Sequence, residues 1–256
     1  MKKSTVSRRE FNQKISSSII SYALIESLFA FDAIAKPIAP ITNHWSKQLN
    51  EKCKDLRLDT ISQQEWQTAV ETLFATINMD ELLRFIEFDK LIKGFQYPDL
   101  GVNVKYVKFP KLAGIPQRTA FVKKIFGMKK GRAIIPHGHS NMASAHLVLK
   151  GDFALKHYNK IEEEKNHLII QPTIDKKISV GDASSISDDQ NNIHWFIADS
   201  DIAFTFDVIM LDLNEKHYDI HNIDILEGEK LSNGSIRAKK LDVQTALKKY
   251  GKQSHH

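Results

Sequence analysis

The sequence predicts a mainly β protein, a sandwich or barrel, preceded by an α-helical segment. Three observations carry this reading. Apolar residues recur at spacings of three and four between residues 41 and 94. From residue 102 the period changes to two, beginning with Val102-Asn103-Val104-Lys105-Tyr106-Val107-Lys108-Phe109. Short apolar runs then follow one another, punctuated by Gly, Pro, Asn and Asp, with no helical stretch between them, which excludes a parallel doubly wound sheet.

Composition bounds the class. The chain has 256 residues, 42% apolar and 26% charged, with a single cysteine, Cys53. Such usage excludes a disordered chain, a collagen-like repeat and a disulfide scaffold. The formal charge of +5 is small and dispersed, so nucleic acid is not an expected partner. Eleven histidines are the unusual count.

The first 35 residues read as an address. Met1-Lys2-Lys3 is followed by Ser7-Arg8-Arg9-Glu10-Phe11-Asn12-Gln13-Lys14, which resembles the twin-arginine export motif. A serine-rich, weakly apolar stretch runs from Ile15 to Ala35 and ends in Ala33-Ile34-Ala35, a small-x-small cleavage pattern. Glu26 and Asp32 interrupt it, so no run of about 18 apolar residues remains and no membrane span is expected. The resemblance implies the twin-arginine export machinery as a partner, a periplasmic or exported location and cleavage near Ala35. About two units of the positive charge fall in this segment.

Residues 36–40, Lys-Pro-Ile-Ala-Pro, read as a linker, since two prolines in five discourage helix. Ser62-Gln63-Gln64-Glu65 is a capping box, followed by Trp66, Val70, Leu73, Phe74 and Ile77 at helical spacing. Asp80 opens a second helical segment with Leu82, Leu83, Phe85, Ile86 and Leu91, closed by Gly94. Further strands are expected at 118–126, 132–136, 144–150, 153–158, 167–170, 193–197, 202–213 and 218–226, and a terminal helix at 242–250. The expected organisation is therefore an address at 1–35, a linker and helical segment at 36–96, a barrel at 97–228, and a loop with a short helix at 229–256.

The chemistry concentrates between Gly131 and Gly151. Residues two apart in a strand face the same way, so His137 and His139 project together and can share one metal ion. Ser144, His146 and Val148 share a face of the returning strand. Later, Asp188-Asp189-Gln190-Asn191-Asn192 forms a polar turn ahead of Ile193-His194-Trp195-Phe196. His157, His167, His217 and His221 read as surface or strand-end residues, and His44 as a helix-side residue. Arg118 and Arg132 are candidates to clamp a carboxylate. Tyr158, Trp195, Phe196, Phe204 and Phe206 are candidate pocket walls, or simply core.

This constellation resembles the cupin superfamily, over roughly residues 98–226. Gly131, His137, His139 and Gly151 fall at the spacing of the first cupin motif, while Ser144 stands where the family has glutamate. His194 fits the histidine of the weaker second motif, although the usual proline is absent and Ala198 stands at the family's late asparagine position. The resemblance implies a jelly-roll barrel, the cupin double-stranded β-helix, holding a divalent metal on His137, His139 and His194, with His146 either a further ligand or a supporting residue. A three-histidine set is similar to the iron sites of cupin dioxygenases, so iron(II) is the expected metal, with manganese, nickel, copper or zinc as alternatives. The expected function is that of an exported metal-dependent oxygenase acting on a small organic substrate with O₂. A non-enzymatic small-molecule or sugar-binding cupin is the alternative, and a homodimer is the family's default assembly.

Overall fold

The structure is a computed structural model that describes residues 44–253. The predicted address and the linker at 36–40 lie outside the described residues. Among the described residues four α-helices come first: α1 (Trp45–Arg57), α2 (Gln63–Ala75), α3 (Met79–Phe85) and α4 (Phe88–Ile92). His44, expected on a helix side, instead caps α1 by accepting from the Ser46 amide. The capping box is present: Ser62 accepts from the Glu65 amide and Glu65 accepts from the Ser62 amide. The single segment expected from Asp80 to Gly94 is broken at Glu87, whose φ of 51° ends α3 and starts α4.

Eleven strands follow among the described residues: β1 (Asn103–Tyr106), β2 (Val122–Lys129), β3 (Ala133–Ser140), β4 (Ala143–Lys150), β5 (Phe153–Glu163), β6 (His167–Ile178), β7 (Ala183–Ile186), β8 (Ile193–Ala198), β9 (Ile202–Met210), β10 (Asp219–Lys230) and β11 (Ile236–Leu241). The helix α5 (Val243–Tyr250) closes the described chain. β2 pairs with β9, β3 with β8, β4 with β7 and β5 with β6, all antiparallel. The chain thus runs out along four strands, turns at the β5–β6 hairpin and returns along four. This double strand is wound so that β4 also pairs with β9 and β5 with β8. The result is a jelly roll of two facing sheets, the architecture that the motif implies. One sheet has the order β1-β2-β9-β4-β7. The other, β3-β8-β5-β6, is extended by β11 and β10, and β10 returns to pair with β3 and close a ring.

Three departures from the expected strands have physical causes. β6 continues past residue 170 to Ile178 through Pro172, which sits at a register shift where no ladder donor is needed. β7 is Ala-Ser-Ser-Ile, a run of low strand propensity that is ordered by its pairing to β4. β11 lies in the stretch expected to be loop, held between β10 and β6.

The helices decide what the sheets can bury. The outward residues of β4 and β9 (Ala145, Leu147, Leu149, Phe204, Phe206 and Val208) pack against Leu49, Trp66, Val70 and Phe74. Both faces of β4 are therefore covered, and every residue of it except Lys150 is buried. The facing interior is apolar at one end, where Phe153, Leu155, Phe196, Val148 and Met128 meet. Among the described residues no helix is long and apolar enough to cross a membrane.

Candidate metal centre

The other end of that interior is lined with histidine. His137 and His139 come from β3, His194 from β8, His146 from β4 and His157 from β5. Simple alternation along β3 does not account for the first two. Ile134 pairs with Phe196 and packs in the interior, so parity would turn residues 136 and 138 inward. A bulge intervenes: His137 pairs with His194, three residues beyond Ile134 on β3 but two from Phe196 on β8. The extra residue falls at Ile135-Pro136, where a proline is tolerated, and it turns His137 and His139 inward. The motif glycines bracket β3 and β4 with left-handed backbone, Gly131 at φ 71° and Gly151 at φ 72°.

His137, His139 and His194 each offer a ring nitrogen within 4.8 Å of the others. The His137 and His194 Nε2 atoms are 3.1 Å apart. Two nitrogens about 2.0–2.1 Å from one ion would be separated by about 2.9 Å at a right angle and about 3.4 Å at the tetrahedral angle. The observed separation falls between these values. The His137 Nδ1–H donates to the Ile135 carbonyl at 2.7 Å, which leaves Nε2 as the lone-pair nitrogen. Both ring nitrogens of His139 and the Nδ1 of His194 are buried without a protein partner. Such atoms cost about 1–3 kcal/mol each unless something satisfies them.

Electrostatics favour the same reading. Burial pulls the His137 imidazole down to about 4, against a small upward pull from its bond to Ile135. Burial, reinforced by neighbouring histidines, holds His139 and His194 well below the ordinary histidine range. All three are therefore neutral at pH 7, the form that binds a metal. The residues fit a divalent cation, and three neutral ligands leave its charge uncompensated.

His146 sits beside the triad, its ring centroid 4.9 Å from that of His194. It is not part of the group of converging nitrogens. Its Nδ1–H donates to Asp207 Oδ2 at 2.7 Å, and Thr205 donates to Asp207 Oδ1 at 2.6 Å. Its Nε2 is buried and unpartnered. Asp207 belongs to no motif, yet it is only 1% exposed. Its sequence signal is a lone acid in the apolar run Ile202-Ala203-Phe204-Thr205-Phe206-Asp207-Val208-Ile209-Met210.

His157 is a correction. It is fully buried, not a surface residue, because its parity on β5 matches Phe153 and Leu155. It pairs across the strands with His194, with ring centroids 6.4 Å apart. Burial drives its imidazole down to about 3, and neither ring nitrogen has a partner. His167 and His221 are part-exposed and His217 exposed, as expected of surface or strand-end residues. Of the candidate pocket aromatics, Phe196 stacks edge-on against His146 and His194. Trp195 and Tyr158 face the separate core inside the closed ring, and Phe204 and Phe206 face the helices. Arg118 is exposed and Arg132 lies at the start of β3, bridged to Lys252, so neither adjoins the histidines.

Asn192 completes the site from the loop before β8. Its Oδ1 accepts from the His139 amide at 3.2 Å, and its Nδ2 donates to the His139 carbonyl at 2.9 Å. Gly138 permits this grip, since a Cβ there would lie 3.0 Å from that Oδ1 and from Ile193.

No family model matches the chain, and no curated protein does. Solved structures give weak likenesses. Procruciferin, an 11S globulin from Brassica napus, is 13% identical over 50% of this chain and 29% of its own length, with a TM-score of 0.35. KdgF from Halomonas sp. is 16% identical over 46% of this chain and 86% of its own, with a TM-score of 0.31. An oxalate oxidase in complex with glycolate is 14% identical over 44% of this chain and 52% of its own, with a TM-score of 0.33. This chain thus spans less than a third of the 11S globulin's length. At these values the fold rests on the strand pairing described above, and the site on its own geometry.

Proposed function

We propose that this protein is a metalloenzyme of the oxygenase type, binding a divalent metal through His137, His139 and His194 and acting on a small organic substrate. The observation that carries the reading is the convergence of three neutral ring nitrogens at one end of the jelly-roll interior, those of His139 and His194 on buried side chains and that of His137 on a part-exposed one. The bound metal would supply Lewis acidity and open positions at which substrate and O₂ meet. Iron(II) is the metal proposed for that chemistry, with manganese, nickel, copper and zinc compatible with imidazole ligands.

The chain's own residues would do the rest. Asp207 fixes the His146 tautomer, so that Nε2 is free to accept a hydrogen bond from a bound ligand. His157 adds two further ring nitrogens without partners. Phe196, Phe153 and Leu155 exclude water from the apolar end. Export through the twin-arginine route, on the strength of Ser7-Arg8-Arg9-Glu10-Phe11, is part of the proposal, and would let the protein load its metal while folded.

Elemental analysis of the protein purified from its native compartment tests this reading, followed by oxygen uptake with candidate small organic acids, alcohols and thiols. About one iron per chain with substrate-dependent oxygen uptake supports it. Absence of metal, with ligand binding unchanged in His137→Ala and His139→Ala, would instead favour a non-enzymatic binding protein.

A further inference from the structure

The helix α2 lies outside the jelly roll, yet its polar side chains lead to the candidate ligand His139. Gln67 is 5% exposed and Ser187 fully buried, and the Ser187 hydroxyl donates to Gln67 Oε1 at 2.6 Å. The same hydroxyl oxygen accepts from the amides of Asp189 and Gln190, both at 3.2 Å, and the Ser187 amide donates to the Gln190 carbonyl. This folds residues 187–190 into a closed turn. The Ser187 carbonyl accepts from Asn192 Nδ2 at 3.0 Å, and Asn192 holds both backbone groups of His139. A second route runs from Gln63, whose Oε1 accepts from the Asp188 amide at 2.8 Å. The Asp188 carboxylate in turn accepts from the amide of Asn141, two residues past His139, at 2.9 and 3.0 Å. Asn141 has a φ of 58° at the turn into β4.

We propose that α2 is a strut for the metal centre, and that Gln67, acting through Ser187 and Asn192, is a positioning residue for His139, with Gln63 supporting the same strand end through Asp188. The physical case is that β3 is irregular here. The bulge at Ile135-Pro136 interrupts its pairing with β8, which does not resume beyond His137–His194. His139 is therefore held on that side by a side chain, not by a ladder. A ligand held this way is only as well placed as the loop that carries Asn192, and α2 is what fixes that loop. The functional consequence rests on the metal-site reading; the hydrogen-bonded route does not.

The test uses the full chain, stripped with chelator and titrated with Co(II), whose visible spectrum reports ligand geometry. Gln67→Ala and Asn192→Ala are expected to weaken Co(II) binding by about tenfold, the low end for groups that hold a ligand in place. Both should alter the Co(II) bands, and the double variant should show less than the sum of the two effects. Glu71→Ala is the control, because Glu71 binds Ser185 from the same helix and has no hydrogen bond to residues 187–192. It should lower the melting temperature with the Co(II) spectrum unchanged. Should Gln67→Ala fail to fold, Gln63→Ala, at the part-exposed start of the helix, is expected to alter the bands through Asp188. Hydrogen exchange at the His139 amide in the metal-free protein gives a second readout, expected to quicken in Gln67→Ala and stay unchanged in Glu71→Ala. Wild-type affinity, wild-type bands and unchanged exchange in Gln67→Ala would overturn the strut. If the wild type itself binds no Co(II), the metal reading fails, and the exchange measurement still decides the strut.

Discussion

Replacing His157 by leucine isolates the energetic consequence of a buried histidine without partners. In the folded protein burial brings this imidazole down to about 3, against an ordinary value of 6.5 in the unfolded chain. The sign follows from proton uptake. Below pH 6.5 the unfolded chain gains a proton at this residue and the folded chain does not, so falling pH favours unfolding. The stability that His157 permits at neutral pH is lost progressively from pH 6.5 down to about 3. Each pH unit in that window is worth about 1.4 kcal/mol, so a shift from pH 6.5 to 5 costs about 2 kcal/mol through this residue alone. Leucine removes the proton site and both unpartnered nitrogens while keeping a side chain of similar bulk. The assay is urea unfolding of chelator-treated protein at pH 7.5 and 5.0. The variant should be at least as stable as the wild type at pH 7.5, and should lose about 2 kcal/mol less on acidification. An equal loss in both proteins would refute the argument, since it would mean that His157 is protonated or solvated in the folded state.

Other expectations concern the site and the address. His139→Ala should weaken Co(II) binding by more than about 100-fold, beyond the range for supporting residues, in a titration followed by absorbance, with the circular dichroism spectrum retained. Asp207→Ala should lower the stability of the metal-free protein by about 1–3 kcal/mol in urea unfolding, because it leaves the buried His146 Nδ1–H without its acceptor. Arg8→Lys together with Arg9→Lys should leave the protein in the cytoplasm on cell fractionation, and unchanged localisation would remove the twin-arginine proposal.

Much of the site is legible in the amino-acid sequence. The spacing of Gly131, His137, His139 and Gly151 marks the β3–β4 region, and the fold brings His137 and His139 together with His194, the histidine that the resemblance to the second cupin motif adds. The illegible parts have a common cause. His157 sits between Lys156 and Tyr158, and nothing local says that the far sheet covers its face. Asp207 is visible as an odd charge in an apolar strand, but its partner His146 is 61 residues away. The contribution of α2 depends on contacts 120 or more residues apart, such as that between Gln67 and Ser187.

The sequence by itself determined the class of the fold and the helical segment ahead of it, and its resemblance to cupins named four candidate histidines, of which the structure brings three together. It could do so because period, capping and motif spacing are local properties of a chain. The tertiary structure decided which way those histidines point and what stands behind them. The one-residue bulge at Ile135-Pro136 sets the inward phase of His137 and His139, and the winding of β4 beside β9 places Asp207 against His146. The packing of α2 against β7 and its loop supplies the grip on His139. These depend on strand register and long-range pairing, which a side-chain pattern of period two leaves open.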